Sequence, residues 1–188
     1  SFTQAMTLDA SGNLLVGTTT VISGSGTGFQ LLPEGQVRTA RTATTLANHY
    51  IFYNGNGLVG TISTSGSATA YNTSSDYRLK EDWVAVSDAS TRVTALKPVN
   101  FAWKADGSRV DGFLAHELAE VVPEAVTGAK DATEMVDIKD EEGNVTGQEE
   151  RPVYQGIDQS KLVPLLTAAL QEALAAIESL TARISALE

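Results

Sequence analysis

The spacing of hydrophobic and polar positions changes character along this chain. Over residues 5–32 it alternates weakly, with Met6, Leu8, Leu14 and Val16 set around Asp9-Ala10-Ser11-Gly12-Asn13. That pattern predicts short strands joined by Gly/Ser/Asn turns. His49-Tyr50-Ile51-Phe52-Tyr53 and Leu58-Val59-Gly60-Thr61-Ile62 flank Asn54-Gly55-Asn56-Gly57, a hairpin signal with residues that tolerate positive φ at the turn. Residues 63–73 are almost wholly Ser, Thr, Gly, Ala and Asn, too little apolar surface to fold alone. Such a stretch is either a flexible linker or a set of strands buried by neighbouring chains, as in intertwined fibrous trimers.

From Ser75 onward the texture is globular. The stretch from Val84 to Leu96 carries apolar residues at Val84, Val86, Val93 and Leu96, and predicts a helix with Ser87-Asp88 at its N-cap and Lys97-Pro98 as its stop. Val99-Asn100-Phe101-Ala102-Trp103 reads as a strand, Ala105-Asp106-Gly107 as a turn, and Gly112-Phe113-Leu114-Ala115 as a second short strand. A helical turn over 116–122 ends at Pro123. Asp140-Glu141-Glu142-Gly143-Asn144 has turn chemistry, and strands at 134–138 and 150–154 would make a hairpin around it. The last segment predicts a helix. Leu166, Leu170, Ala173, Ile177, Leu180, Ile184 and Leu187 alternate spacings of four and three, with Leu170, Ile177 and Ile184 at heptad position a. A strict heptad argues for self-association. Isoleucine at a with leucine at d leans toward dimers, while Ala173 and the short run leave the number of strands open.

Composition divides the chain at the same place. Only Asp9, Glu34, Arg38 and Arg41 are charged within residues 1–74, whereas Lys+Arg total 13 and Asp+Glu 23 over the 188 residues. Residues 1–74 also hold ten of the 16 glycines. Two regions follow, 1–74 and 75–188, with 160–188 as the coiled-coil helix. The formal charge of −10 argues against nucleic acid, whose phosphates would be repelled. No uninterrupted apolar run reaches the roughly 18 residues of a membrane span, so no membrane insertion is expected. Ser1-Phe2-Thr3-Gln4 has none of the regions of a signal peptide and reads as a cut from a longer chain.

Candidate chemistry is sparse. With no cysteine and only His49 and His116, no metal site is indicated, and nothing calls for a cofactor. Ser23-Gly24-Ser25-Gly26-Thr27-Gly28 lacks the Gly-Lys-Ser/Thr and the helix that a phosphate-cradling loop needs. Eight acids between 130 and 151 invite calcium, but without regular ligand spacing they read as a solvated hairpin. The remaining constellation is Ser74-Ser75-Asp76-Tyr77-Arg78-Leu79-Lys80, on the composition boundary. A serine and a lysine can perform acyl transfer without histidine. The lysine must be neutral to act as base, so desolvation at a subunit interface or a nearby cation such as Arg78 has to lower its pKa. Ser74 competes with Ser75 for the role of nucleophile.

Ser75-Asp76-Tyr77-Arg78-Leu79-Lys80 resembles the opening motif of the peptidase S74 family, the C-terminal intramolecular chaperones of bacteriophage tail spikes and tail fibres, endosialidase tailspikes included. Three more stretches match in order: residues 95–103 (Ala-Leu-Lys-Pro-Val-Asn-Phe-Ala-Trp), Gly112-Phe113-Leu114-Ala115-His116-Glu117-Leu118, and residues 154–166 from Tyr154 to Leu166. The resemblance covers essentially all of 75–188. It implies an α+β protein: a β-rich, intertwined trimeric fibre segment, then a small α+β chaperone domain ending in a long coiled-coil helix. It further implies a homotrimer whose chaperone folds the fibre and is then released by a single-turnover, self-cleaving serine endopeptidase. Ser75 would be the nucleophile, Lys80 the base and Ser74–Ser75 the scissile bond. Release would leave the fibre in the virion tail and the chaperone in the host cytoplasm. His116 and Glu117 match a polar pair of the family that would lie near the site; a helix N-terminus solvated by its own polar residues explains them equally. Two other functions stay in view: a structural trimerisation module that does not cut, and a host-receptor or glycan-binding tip in 1–74 using Tyr50, Tyr53 and Tyr71.

Overall fold

A computed structural model describes residues 6–24 and 26–187; the reading of Ser1–Gln4 lies outside them. The chain forms two compact units, Ser1–Trp83 and Val84–Glu188.

The first unit is all β. Strands β1 (Met6–Leu8), β2 (Leu14–Val16), β3 (Gly28–Leu31) and β4 (Val37–Ala40) form an antiparallel meander in that order. Asp9 builds its first turn, its Oδ1 accepting from the backbone N–H of Ser11 and of Asn13 at 2.9 Å each. Leu15 and Gln30, paired across β2 and β3, are both fully buried. A buried amide needs partners. Gln30 finds them in the preceding loop: its Oε1 accepts from Ile22 N–H (3.0 Å) and its Nε2 donates to the Thr20 carbonyl (2.9 Å). The loop is thereby fastened to the sheet.

Strands β5 (Ala47–Asn54), β6 (Gly57–Ser65) and β7 (Ala68–Thr73) form a second antiparallel sheet. The expected hairpin is present, and its left-handed backbone falls on Gly57 (φ 94°). Residues 63–73 are strand rather than linker, because Gly60 through Ser65 pair in unbroken register with Thr73 through Ala68. Every residue of β7 is nonetheless exposed. Both ring nitrogens of His49 are engaged by hydroxyls, Nδ1 with Thr39 Oγ1 (2.8 Å) and Nε2 with Thr64 Oγ1 (2.9 Å).

The second unit contains α1 (Ala89–Ala95), β8 (Val99–Ala102), β9 (Arg109–Gly112), α2 (Ala115–Ala119), β10 (Val126–Thr127), β11 (Thr133–Lys139), β12 (Val145–Pro152), β13 (Gly156–Ile157) and α3 (Leu162–Ser185). Its strands pair as β8–β9, β10–β13 and β11–β12, all antiparallel. The core is Ala89, Leu118, Val122, Ala125, Leu162 and Leu165, with Val93, Leu96 and Phe113 against it.

Two boundaries differ from the sequence reading. The first helix does start at Ala89, behind the expected N-cap residue Asp88, but Asp88 is left-handed and makes no side-chain cap. Glu172 of α3 supplies the cap instead, its two carboxylate oxygens accepting from the N–H groups of Ala89 (3.0 Å) and Ser90 (2.8 Å). The strand expected at 112–115 lies at 109–112, because Val99 pairs with Gly112 and Ala102 with Arg109. Gly112 lets this happen: a Cβ there would stand 3.0 Å from the Phe101 ring. The acidic hairpin is also longer than expected, over 133–139 and 145–152.

Helix α3 has two regimes. Near its start Leu162 and Leu165 are buried at 5% and 3% exposure. Beyond Leu170 every described residue is exposed. The heptad positions Leu166, Leu170, Ile177, Leu180 and Ile184 are all among the exposed apolar residues. By length and composition, Gln159–Ser185 is apolar enough to cross a membrane, although no uninterrupted apolar run suggests it.

Candidate functional site at Ser75 and Lys80

The chain leaves β7 at Thr73 and turns at once. Ser74 is tied back to β6, donating its N–H to the Val59 carbonyl (3.1 Å) and its hydroxyl to the Leu58 carbonyl (2.9 Å). Asp76 then opens a 3-10 turn over Tyr77–Leu79. Its Oδ1 accepts from the Arg78 backbone N–H at 2.8 Å, as an N-cap aspartate does. The backbone bonds Leu79 N–H to Asp76 C=O and Lys80 N–H to Tyr77 C=O, both 3.1 Å, close the turn. Fully extended, the five residues from Ser75 to Lys80 would separate their Cα atoms by about 17 Å. The turn instead brings Lys80 Nζ to 2.7 Å from Ser75 Oγ.

Asp76 is also held by the Arg78 guanidinium, through Nε to Oδ1 (2.9 Å) and Nη2 to Oδ2 (2.8 Å). The Arg78 bonds, with a smaller contribution from the Lys80 charge, set the Asp76 carboxyl below the usual aspartate range, and the same pairing raises the Arg78 guanidinium. Arg78 is therefore a partner of Asp76 rather than an uncompensated cation. Around the dyad the apolar side chains are bare, with Tyr77, Leu79 and Trp83 at 80%, 68% and 85% exposure.

Of the residues singled out in the sequence, Ser74, Ser75, Arg78 and Lys80 share this one turn. Ser74's hydroxyl is engaged with β6, which leaves Ser75 as the hydroxyl in contact with lysine. His116 and Glu117 lie in the second unit, on α2. Glu117 forms an ion pair with Lys97 (3.2 Å), and half-buried His116 lines a groove with Lys130, Tyr154 and Gln155. Asp76 was missed as a contributor. The signal was available, since an aspartate two residues before the residue it caps is a common turn opener. Among the described residues no cluster of His, Cys, Asp and Glu could hold a metal ion.

The described residues thus comprise a β-rich unit that ends in the Ser75–Lys80 turn and an α+β unit that ends in a long helix. Residues 75–127 match the model of the peptidase S74 family, described as the chaperone of endosialidase. The match begins on Ser75, and the resemblance read from Ser75 to Lys80 is borne out. Among solved structures the chain is similar to the carboxy-terminal domain of the bacteriophage T5 L-shaped tail fibre with its intramolecular chaperone domain, at 17% identity and a TM-score of 0.40. The alignment covers 90% of this chain, which spans 45% of that one. No curated protein matches.

Proposed function

We propose that this chain is the C-terminal part of a phage tail fibre or spike joined to an intramolecular chaperone that trimerises it and then cuts itself away at Ser74–Ser75. The observation that carries the reading is the 2.7 Å contact between Lys80 Nζ and Ser75 Oγ at the first residue of the family match.

The chemistry follows from that contact. Neutral Lys80 accepts the Ser75 hydroxyl proton as Oγ attacks the Ser74 carbonyl carbon. The tetrahedral intermediate collapses by breaking the Ser74–Ser75 C–N bond, and the proton passes from Lys80 to the departing amine. The resulting ester between Ser74 and Ser75 Oγ is hydrolysed by one water, giving a Ser74 carboxylate and restoring the Ser75 hydroxyl. Covering Tyr77, Leu79 and Trp83 in an assembly would dehydrate the dyad and favour neutral lysine. Cleavage would thus be coupled to trimer formation.

Surface area supports assembly. The chain exposes 14634 Å². Two separate compact units of about 10 kDa each would together expose about 10400 Å². The bare surfaces of β7 and of α3 beyond Leu170 contribute to that excess, as expected where chains share a core. A helical bundle of three α3 segments would cover the heptad stripe, and it accounts for apolarity that would otherwise suit a membrane span. Holding three C-termini together raises the effective concentration of the fibre strands, whose interchain pairing is slow by itself. The released fibre would remain in the virion tail and the chaperone in the host cytoplasm.

Expression of the wild-type chain and of Ser75→Ala tests the reading. Wild type should run as two fragments on a denaturing gel, the larger with Ser75 at its N-terminus, and the variant as one. Two full-length bands would leave a non-cleaving trimerisation module. A receptor or glycan role for 1–74 has one supporting feature, an open apolar groove of about 350 Å³ lined by Phe52, Gly60, Ile62 and Tyr71. Loss of host-cell binding in Tyr71→Ala with the trimer intact would establish it.

A further inference from the structure

The Asp76–Arg78 pair does more at the dyad than the cleavage chemistry itself requires. Asp76 must be at the turn, because its Oδ1 caps the 3-10 segment that returns Lys80 to Ser75. Its negative charge is a liability there. Asp76 and Lys80 are the two caps of one three-residue turn, so a carboxylate at one end favours a cation at the other. An ammonium cannot accept the Ser75 proton. The same carboxylate, however, is gripped bidentately by Arg78, in the planar geometry that suits guanidinium and carboxylate. Other acids close in sequence are Glu81 and Asp82, which follow Lys80 directly.

We propose that Asp76 and Arg78 are positioning residues for the dyad: Asp76 shapes the turn, and Arg78 offsets the Asp76 charge so that the carboxylate does not hold Lys80 protonated. The inference rests on the reading of Ser75 and Lys80 as a reactive pair. Its consequence is that the two residues act on lysine in opposite directions. Removing the arginine leaves a bare carboxylate beside Lys80; removing the carboxylate leaves a bare guanidinium.

The test reads the nucleophilicity of Lys80 directly, without needing cleavage. In the full-length Ser75→Ala chain, trace acetylation of Lys80 near pH 8 is followed by mass spectrometry. Arg78→Gln should lower the labelling rate and Asp76→Asn raise it, each by about three- to ten-fold, the size of one exposed charge on the same turn. Asparagine keeps the capping oxygen, so the turn survives that change. The double variant should return to within about two-fold of the parent. Equal rates in all four proteins, or shifts of the two single variants in the same direction, would overturn the proposal. Cleavage is scored separately in the Ser75 background. If wild type stays uncut while labelling moves as stated, the autoproteolysis reading falls and the charge balance stands.

Discussion

Replacing Ile177 by serine removes a side chain from the middle of the α3 stripe, where it contacts nothing in the core of its own unit. Ile177 is 58% exposed in the single chain. Burying a whole isoleucine contributes about 1.5–3 kcal/mol, so covering the exposed part is worth about 1–2 kcal/mol per chain. Three chains lose about 3–5 kcal/mol together, a weakening of trimer association by about a hundred- to ten-thousand-fold. Sedimentation equilibrium of the full-length Ser75→Ala chain measures this, since the helix then stays attached to the fibre. Circular dichroism gives a second reading. Residues 173–185 are all exposed in the single chain, and an isolated helix of that length is marginal in water, so helicity should fall as trimers dissociate. Glu178→Gln, off the stripe, is the control and should leave both signals unchanged. A trimer of unaltered strength in Ile177→Ser would refute the assignment of the stripe as the interchain seam.

Further outcomes follow from single contacts. Glu172 lies below the usual glutamate range because its carboxylate accepts from Ser90 and Ala89 at the start of α1. A depressed carboxyl adds stability above its unfolded pKa and loses it as pH falls through the folded value. Acidification below the ordinary glutamate range should therefore lower the melting temperature of the second unit less in Glu172→Gln than in wild type, as thermal unfolding across pH would read. Gly60→Ala puts a Cβ 2.9 Å from the Asn72 carbonyl oxygen; it should destabilise the β5–β7 sheet by about 1–3 kcal/mol, measured by denaturant unfolding. Ser75→Ala should abolish the new N-terminus, as sequencing of the purified protein checks.

The division of labour between sequence and structure is clearest at the termini of elements. The α3 repeat was legible because burial is periodic: apolar residues every three and four positions place one stripe on one face whatever lies around it. The Asn54–Gly57 turn was legible because only certain residues accept its backbone, and Gly57 does take the left-handed conformation. The start of α1 was legible from Ser87-Asp88, but its capping side chain was not, because it comes from Glu172, more than eighty residues away. No local propensity encodes that. The position of β9 was missed by three residues for a similar reason: the fit of Gly112 against Phe101 is a pairing property, not a property of either strand.

At the candidate site the sequence alone determined the residue types and their order, a serine and a lysine five apart on a boundary of composition. Chemistry at that spacing is common by chance, so the family motif had to raise it above the background. Tertiary structure decided the rest. Tying Ser74 to β6 and capping the turn with Asp76 places one hydroxyl, that of Ser75, against the lysine amine, and engages Arg78 elsewhere. The physical reason is that reactivity depends on distance and charge over a few ångströms, and those are set by hydrogen bonds among residues that sequence spacing cannot rank.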